Sequence, residues 1–131
     1  MPVPRTLHIL TCLAFATGCS ATCENEILTE RDAPDGRHSA VLFRRDCGAT
    51  TSYSTQLSIL APGERPNRTG NVLIADDYHG SAATGDWGGP WAEVEWMAPY
   101  HLLVRYAVRS RTFERQASVS GVRITYQMTN R

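Results

Sequence analysis

Three runs in the last third of the chain alternate apolar and polar side chains with a period of two. Ala92, Val94 and Trp96 alternate with Glu93 and Glu95. Leu102, Val104, Tyr106 and Val108 fall on one side of the next run, with Arg105 and Arg109 on the other. Val122, Ile124, Tyr126 and Met128 alternate with Arg123, Thr125 and Gln127. Successive side chains of a strand point to opposite faces, so each run reads as a half-buried strand of antiparallel sheet. Ala98-Pro99-Tyr100 turns the first run into the second. Glu93 and Glu95 then stand opposite Arg105 and Arg109 as cross-strand charge pairs. No stretch beyond the first residues offers the 3.6-residue repeat of a packed helix.

The earlier sequence continues the theme. Residues 26–31 and 38–45 read as strands joined at Ala33-Pro34-Asp35-Gly36, where Pro presets φ and Asp-Gly tolerates the left-handed position. Ala40, Val41, Leu42 and Phe43 place apolar groups on both faces, the mark of a central strand covered on both sides. Residues 55–60 and 72–75 add two more strands. Residues 61–71 form a long exposed connection, and 76–90 the longest irregular region. The expectation is an all-β domain: an antiparallel sheet of about seven short strands, arranged as a sandwich, a twisted meander or a small barrel.

A chain of 131 residues supports one domain. Its 13 basic residues balance 13 acidic ones, and every basic residue is Arg. No basic excess is available to neutralise phosphates, so nucleic acid is excluded as a partner.

The N-terminus reads as an export signal. Arg5 supplies a positive start, and residues 7–16 form an apolar segment too short to span a bilayer. The segment ends Ala16-Thr17-Gly18-Cys19, small residues before a cysteine, which resembles a bacterial lipobox. The expected organisation is a signal peptide over 1–18, a lipidated tether over 19–24 with acyl chains on Cys19, and a single domain over 25–131. An ordinary secretory cleavage near Ala21 is the alternative. Ser20 after the lipidated cysteine resembles the outer-membrane sorting pattern, which implies a periplasm-facing location. Loss of Arg5 tips the mature chain to a single net negative charge.

With Cys12 removed and Cys19 acylated, Cys23 and Cys47 remain, and an oxidising compartment favours a disulfide between them. It closes a loop of about 25 residues, worth on the order of 3 kcal/mol in the chain-entropy view. Two thiols on a metal is the competing reading, and no further Cys or His stands at zinc-site spacing.

The run Phe43-Arg44-Arg45-Asp46-Cys47-Gly48-Ala49-Thr50-Thr51, with Cys23-Glu24-Asn25-Glu26-Ile27, Pro34-Asp35-Gly36 and Gly70-Asn71-Val72, resembles a group of small uncharacterised bacterial lipoproteins. The Cys-Gly-Ala-Thr-Thr motif is the most specific part. The resemblance covers most of 23–104 and implies a fold unit and an envelope location, with no activity attached.

Residues that could carry chemistry are few. Ser39, Ser52 and Ser54 coexist with His38, His79 and His101, but no Gly-x-Ser-x-Gly elbow accompanies them. Glu93 and Glu95 lie about 7 Å apart along one strand face, a spacing that inverting glycosidases use, though a solvated face paired with arginines has the same pattern. Asp76, Asp77 and His79 are the weak candidate for a metal, set against an ordinary Asp-rich loop. Trp87 and Trp91, flanking Gly88-Gly89-Pro90, offer rings to a glycan or a protein, or cap the core instead. Arg44 and Arg45 suit an anion, or pair with nearby carboxylates. No catalytic residue, cofactor or metal is assigned. The function expected is a lipid-anchored binding or structural module, held to the membrane through its lipid, with an envelope protein or glycan as partner. The alternatives are an inhibitor of a periplasmic enzyme, of the lysozyme-inhibitor kind, and a small hydrolase.

Overall fold

The structure is a computed structural model and describes residues 2–3, 22–48 and 52–131. The expected signal segment apart from Pro2 and Val3, Cys19, and Ala49-Thr50-Thr51 of the motif lie outside the described residues. Nine strands follow in order: β1 (Glu24–Asp32), β2 (Ser39–Asp46), β3 (Ser54–Leu60), β4 (Leu73–Asp76), β5 (Ala92–Ala98), β6 (His101–Ala107), β7 (Arg111–Arg115), β8 (Ser118–Val119) and β9 (Val122–Thr129). One sheet has the order β1-β2-β3-β4-β7 and the other β5-β6-β9-β8. The fold is all-β, a two-sheet sandwich over one core.

The apolar periodicity explains the layering. Ala40, Leu42, Leu57, Ile59, Leu73 and Ala75 from the first sheet meet Ala92, Leu102, Val104, Tyr106, Val122 and Ile124 from the second. β2 is the central strand expected, since Val41 and Phe43 on its other face are also fully buried. Beside that face runs the 61–71 connection. Asn25 donates to the carbonyls of Pro66 and Arg68 at 3.1 and 2.9 Å. Gln56 accepts from the Gly70 N–H at 2.7 Å, and Asn71 exchanges bonds with both backbone groups of Ile59. These side chains satisfy backbone groups of β3 and of the connection that no strand reaches, as burial requires.

Open edges invite pairing with other chains, and each edge here is blunted. The registers of β1, β5 and β7 each shift by one residue, leaving Leu28, Met97 and Phe113 as the extra residues of bulges. β8 has only two residues. Side chains also close the two seams. Trp96 donates to the Arg31 carbonyl at 2.7 Å, joining β5 to β1. Tyr126 of β9 donates to the Gln116 carbonyl at 2.7 Å, beside the segment that crosses from β7 to β8. Cys23 and Cys47 form a disulfide at the open end of the β1–β2 hairpin.

Four expectations need correction. Strands β7 and β8 were not foreseen, because 111–115 holds a single apolar residue and 118–119 is too short to show a period. β7 pairs with β4 in the first sheet, so the chain leaves the second sheet after β6 and returns to it as β8 and β9. That excursion makes β6 and β9 parallel, whereas the alternation suggested antiparallel pairs throughout. Arg109 does not join the Glu93–Glu95 ladder; it lies in the turn before β7 with φ 67°. Met128 is 60% exposed at the end of β9, where the facing sheet no longer covers it.

Two measurements test this architecture. Cys23→Ser is expected to lower the melting temperature by the equivalent of about 3 kcal/mol, read by thermal denaturation with and without reductant. Burial raises the Tyr126 hydroxyl from 10.0 to about 12. The neutral phenol therefore stabilises the fold fully below pH 10, and that contribution is lost as pH rises towards 12. Tyr126→Phe should flatten this alkaline limb of the stability curve.

Candidate functional site

Hydrogen-bond register fixes what stands together at one end of the first sheet. Glu24 pairs with Asp46, Arg45 with Ser54, Thr55 with Ala75, and Asp76 with Arg111. The disulfide, the end of β4 and the start of β7 therefore share this end. The hydroxyl of Thr55 donates to the Pro90 carbonyl at 2.6 Å, which brings in the residues before β5. The Ala107 N–H donates to the Trp91 carbonyl at 2.9 Å and the Val108 N–H to that of Thr129 at 3.0 Å, so the ends of β6 and β9 lie here too.

Within this end, one corner is built unlike ordinary sheet. Tyr78, His79 and Gly80 follow β4 with φ of 48°, 56° and 83°. Left-handed backbone at the two non-glycine positions is disfavoured, costs of order 1–3 kcal/mol each and tends to occur at functional sites. The turn is closed by the Ala82 N–H donating to the Asp77 carbonyl at 3.0 Å. Arg111 begins β7 and forks onto the Asp76 carboxylate with both Nε and Nη2. Its guanidinium also lies 5.4 Å from the Tyr78 ring centre and 5.0 Å from that of Phe113. Phe113 is the bulge residue of β7 and is 61% exposed; Tyr78 is 50% exposed. The bulge re-aims a side chain next to the charged pair.

Two open hollows flank Arg111. One, of ≈ 590 Å³, is lined by Tyr78, Ser81, Arg109, Ser110 and Arg111. The other, of ≈ 420 Å³, is lined by Ser52, Ser54, Asp76, Asp77, His79 and Phe113 among others. Burial alone would raise the Asp76 carboxyl. Hydrogen bonds from Arg111 and the Tyr78 N–H, with the Arg111 charge, overcome it and hold the carboxyl below its ordinary value. Asp77 Oδ1 is buried with no hydrogen-bond partner among the described residues.

The other candidates lie as follows. Arg44 pairs with Glu26 at 2.5 Å and stacks 4.3 Å from the Tyr53 ring centre. Arg45, on the opposite face of β2, donates to Asn25 at 2.7 Å. Trp87 is half-buried and donates to the Thr55 hydroxyl at 2.8 Å. Its ring lies against its own loop: a Cβ on Gly85 would meet it at 2.3 Å, so a larger residue there would displace the ring. Trp91 is half-buried with the Arg131 guanidinium 4.2 Å from its ring centre. Together the two tryptophans finish the end of the sandwich. Of the weak metal candidate, the Asp76 oxygens face Arg111, and among the described residues no three His, Cys, Asp or Glu side chains are grouped to hold an ion. Glu93 and Glu95 share Nη1 of Arg105 at 3.1 Å each. His79 stands at the corner, whereas His38 packs on Tyr100 and His101 bonds Thr125 at the opposite end.

Arg111, Phe113 and Tyr78 were not singled out from the sequence. Their only local signals are a lone aromatic in a charged run and an aromatic beside Asp-Asp and Gly. No known protein-family model matches the chain, and neither the curated proteins nor the solved structures provide a match.

Asp76→Asn should lower stability by about 1 kcal/mol at neutral pH, the scale of a partly exposed, bidentate charge pair. A carboxyl with a lowered pKa contributes above the ordinary Asp range, and the contribution is lost as pH falls through its own value. Denaturant titrations should therefore show the gap between Asp76→Asn and the parent closing in acid.

Proposed function

We propose that the chain is a lipid-anchored cell-envelope module that acts by surface contact. It is exported with residues 1–18 removed, held by acyl chains on Cys19, and placed on the periplasmic side of the outer membrane. The contact surface is the corner formed by Tyr78, Arg111 and Phe113, extended by the Arg44–Tyr53 pair.

One observation carries this reading. Four arginines are engaged in pairs that hold strands together, while exposed rings with guanidinium groups stacked on them gather at one corner, Tyr78 and Phe113 on Arg111 and Tyr53 on Arg44. Arg44 binds Glu26, Arg45 binds Asn25, Arg105 binds two glutamates, and Arg111 binds Asp76. Exposed aromatic and arginine side chains are the groups enriched at contact surfaces. The anchor is supported by the Ala16-Thr17-Gly18-Cys19 sequence and by the spacing from Cys19 to the stapled hairpin, which leaves a short tether.

Cys19→Ser should move the protein from the membrane to the soluble periplasmic fraction, followed by fractionation and immunoblot. Continued membrane association would contradict the anchor.

A further inference from the structure

The occupant of this corner follows from where the chain enters the domain. Cys23 is disulfide-bonded to Cys47 at the same sheet end as Asp76 and Arg111. Three residues, Ser20, Ala21 and Thr22, separate Cys19 from Cys23, and the four chain steps span at most about 14 Å when fully extended. An acylated Cys19 therefore keeps this end of the sandwich against the bilayer surface and leaves the opposite end facing away.

The two ends differ in what they expose. Among the described residues from 22 onward, six large apolar ones are exposed: Tyr53, Tyr78, Phe113 and Met128 at the tether end, Met97 and Tyr100 at the other. Guanidinium groups stack on rings at the tether end: Arg44 on Tyr53, Arg111 on Tyr78 and Phe113, and Arg131 on Trp91. Aromatic rings settle at the headgroup level of a bilayer, and arginine lays its stem on apolar surface while its head stays in the wet layer. Taking the anchored reading above as its premise, we infer that this end docks on the phospholipid interface, so that the domain rests on the membrane in one orientation.

Charge decides the kind of docking. Glu24, Asp46, Asp77 and Asp86 share this end with the arginines, so it presents no cationic excess to anionic lipid. The attraction is interfacial burial of rings, and it depends little on salt or on the anionic lipid fraction.

The test uses the acylated full chain in vesicles of phosphatidylethanolamine and phosphatidylglycerol, and separately of phosphatidylcholine. Hydroxyl-radical labelling, read by mass spectrometry, is compared with the Cys19→Ser protein in solution. Labelling of Tyr53, Tyr78, Phe113 and Met128 should fall several-fold in both vesicle types, at low and high salt, while Met97 and Tyr100 stay unchanged. Equal labelling of the two ends, or protection confined to Met97 and Tyr100, overturns the orientation. Protection that vanishes in high salt or in phosphatidylcholine overturns the interfacial mode. Protection in whole envelopes but not on lipid vesicles assigns the corner to an envelope macromolecule instead. The mass of the N-terminal peptide is read in the same experiment. An unacylated Cys19 removes the anchor and this inference together, whereas an acylated Cys19 with an unprotected corner removes the inference alone.

Discussion

The backbone register of the first sheet is the constraint on which the rest depends. It starts at Glu24 opposite Asp46, beside the disulfide, and passes strand by strand to Asp76 opposite Arg111. A slip of one residue in any pair would send core side chains outward and polar ones inward. Because Leu42, Leu57 and Leu73 are fully buried on the core side, such a slip is strongly disfavoured. The disulfide adds a covalent stop at one end of that register. The place where the chain enters the domain and the place where Arg111 meets Asp76 are thus parts of one end, although Cys23 and Arg111 are 88 positions apart in the sequence.

The excursion of β7 into the first sheet has two consequences. It brings β6 and β9 together in parallel, which demands a connection that leaves the sheet and returns. It also makes β7 an edge strand, and the bulge at Phe113 both blunts that edge and exposes the ring. Protection of the edge and exposure of the Phe113 ring are here the same local distortion. The bulge at Met97 blunts the edge of β5 at the other end.

Much of this was legible in the sequence. The period-two runs gave β5, β6 and β9 and, Met128 apart, their inward faces. The two-sided burial of β2 showed in Ala40 to Phe43, the hairpin turn in Pro34-Asp35-Gly36, and the pairing of Cys23 with Cys47 in the cysteine count. Glu93 and Glu95 meet Arg105 as the alternation implied. β7 was not legible, since a five-residue edge strand with one apolar residue has no period to read. The parallel pair could not be read either, because it follows from where β7 docks. The corner depends on contacts between residues 35 apart, as in Arg111 with Asp76, and on left-handed backbone at Tyr78 and His79 that their side chains do not favour. The Trp87–Trp91 segment is compatible in sequence with a contact surface or a cap on the core, and both rings are half-buried at the sandwich end.

Placement of β7 decides whether the proposed anchor and the proposed contact surface coincide. Cross-strand nuclear Overhauser contacts in the uniformly labelled domain measure it directly. The account predicts backbone contacts of Arg111 with Asp76 and of Glu114 with Ile74, together with a parallel pattern linking Val104 to Tyr126. A simple meander, with residues 111–115 paired to β6 and no contacts between β6 and β9, would contradict it.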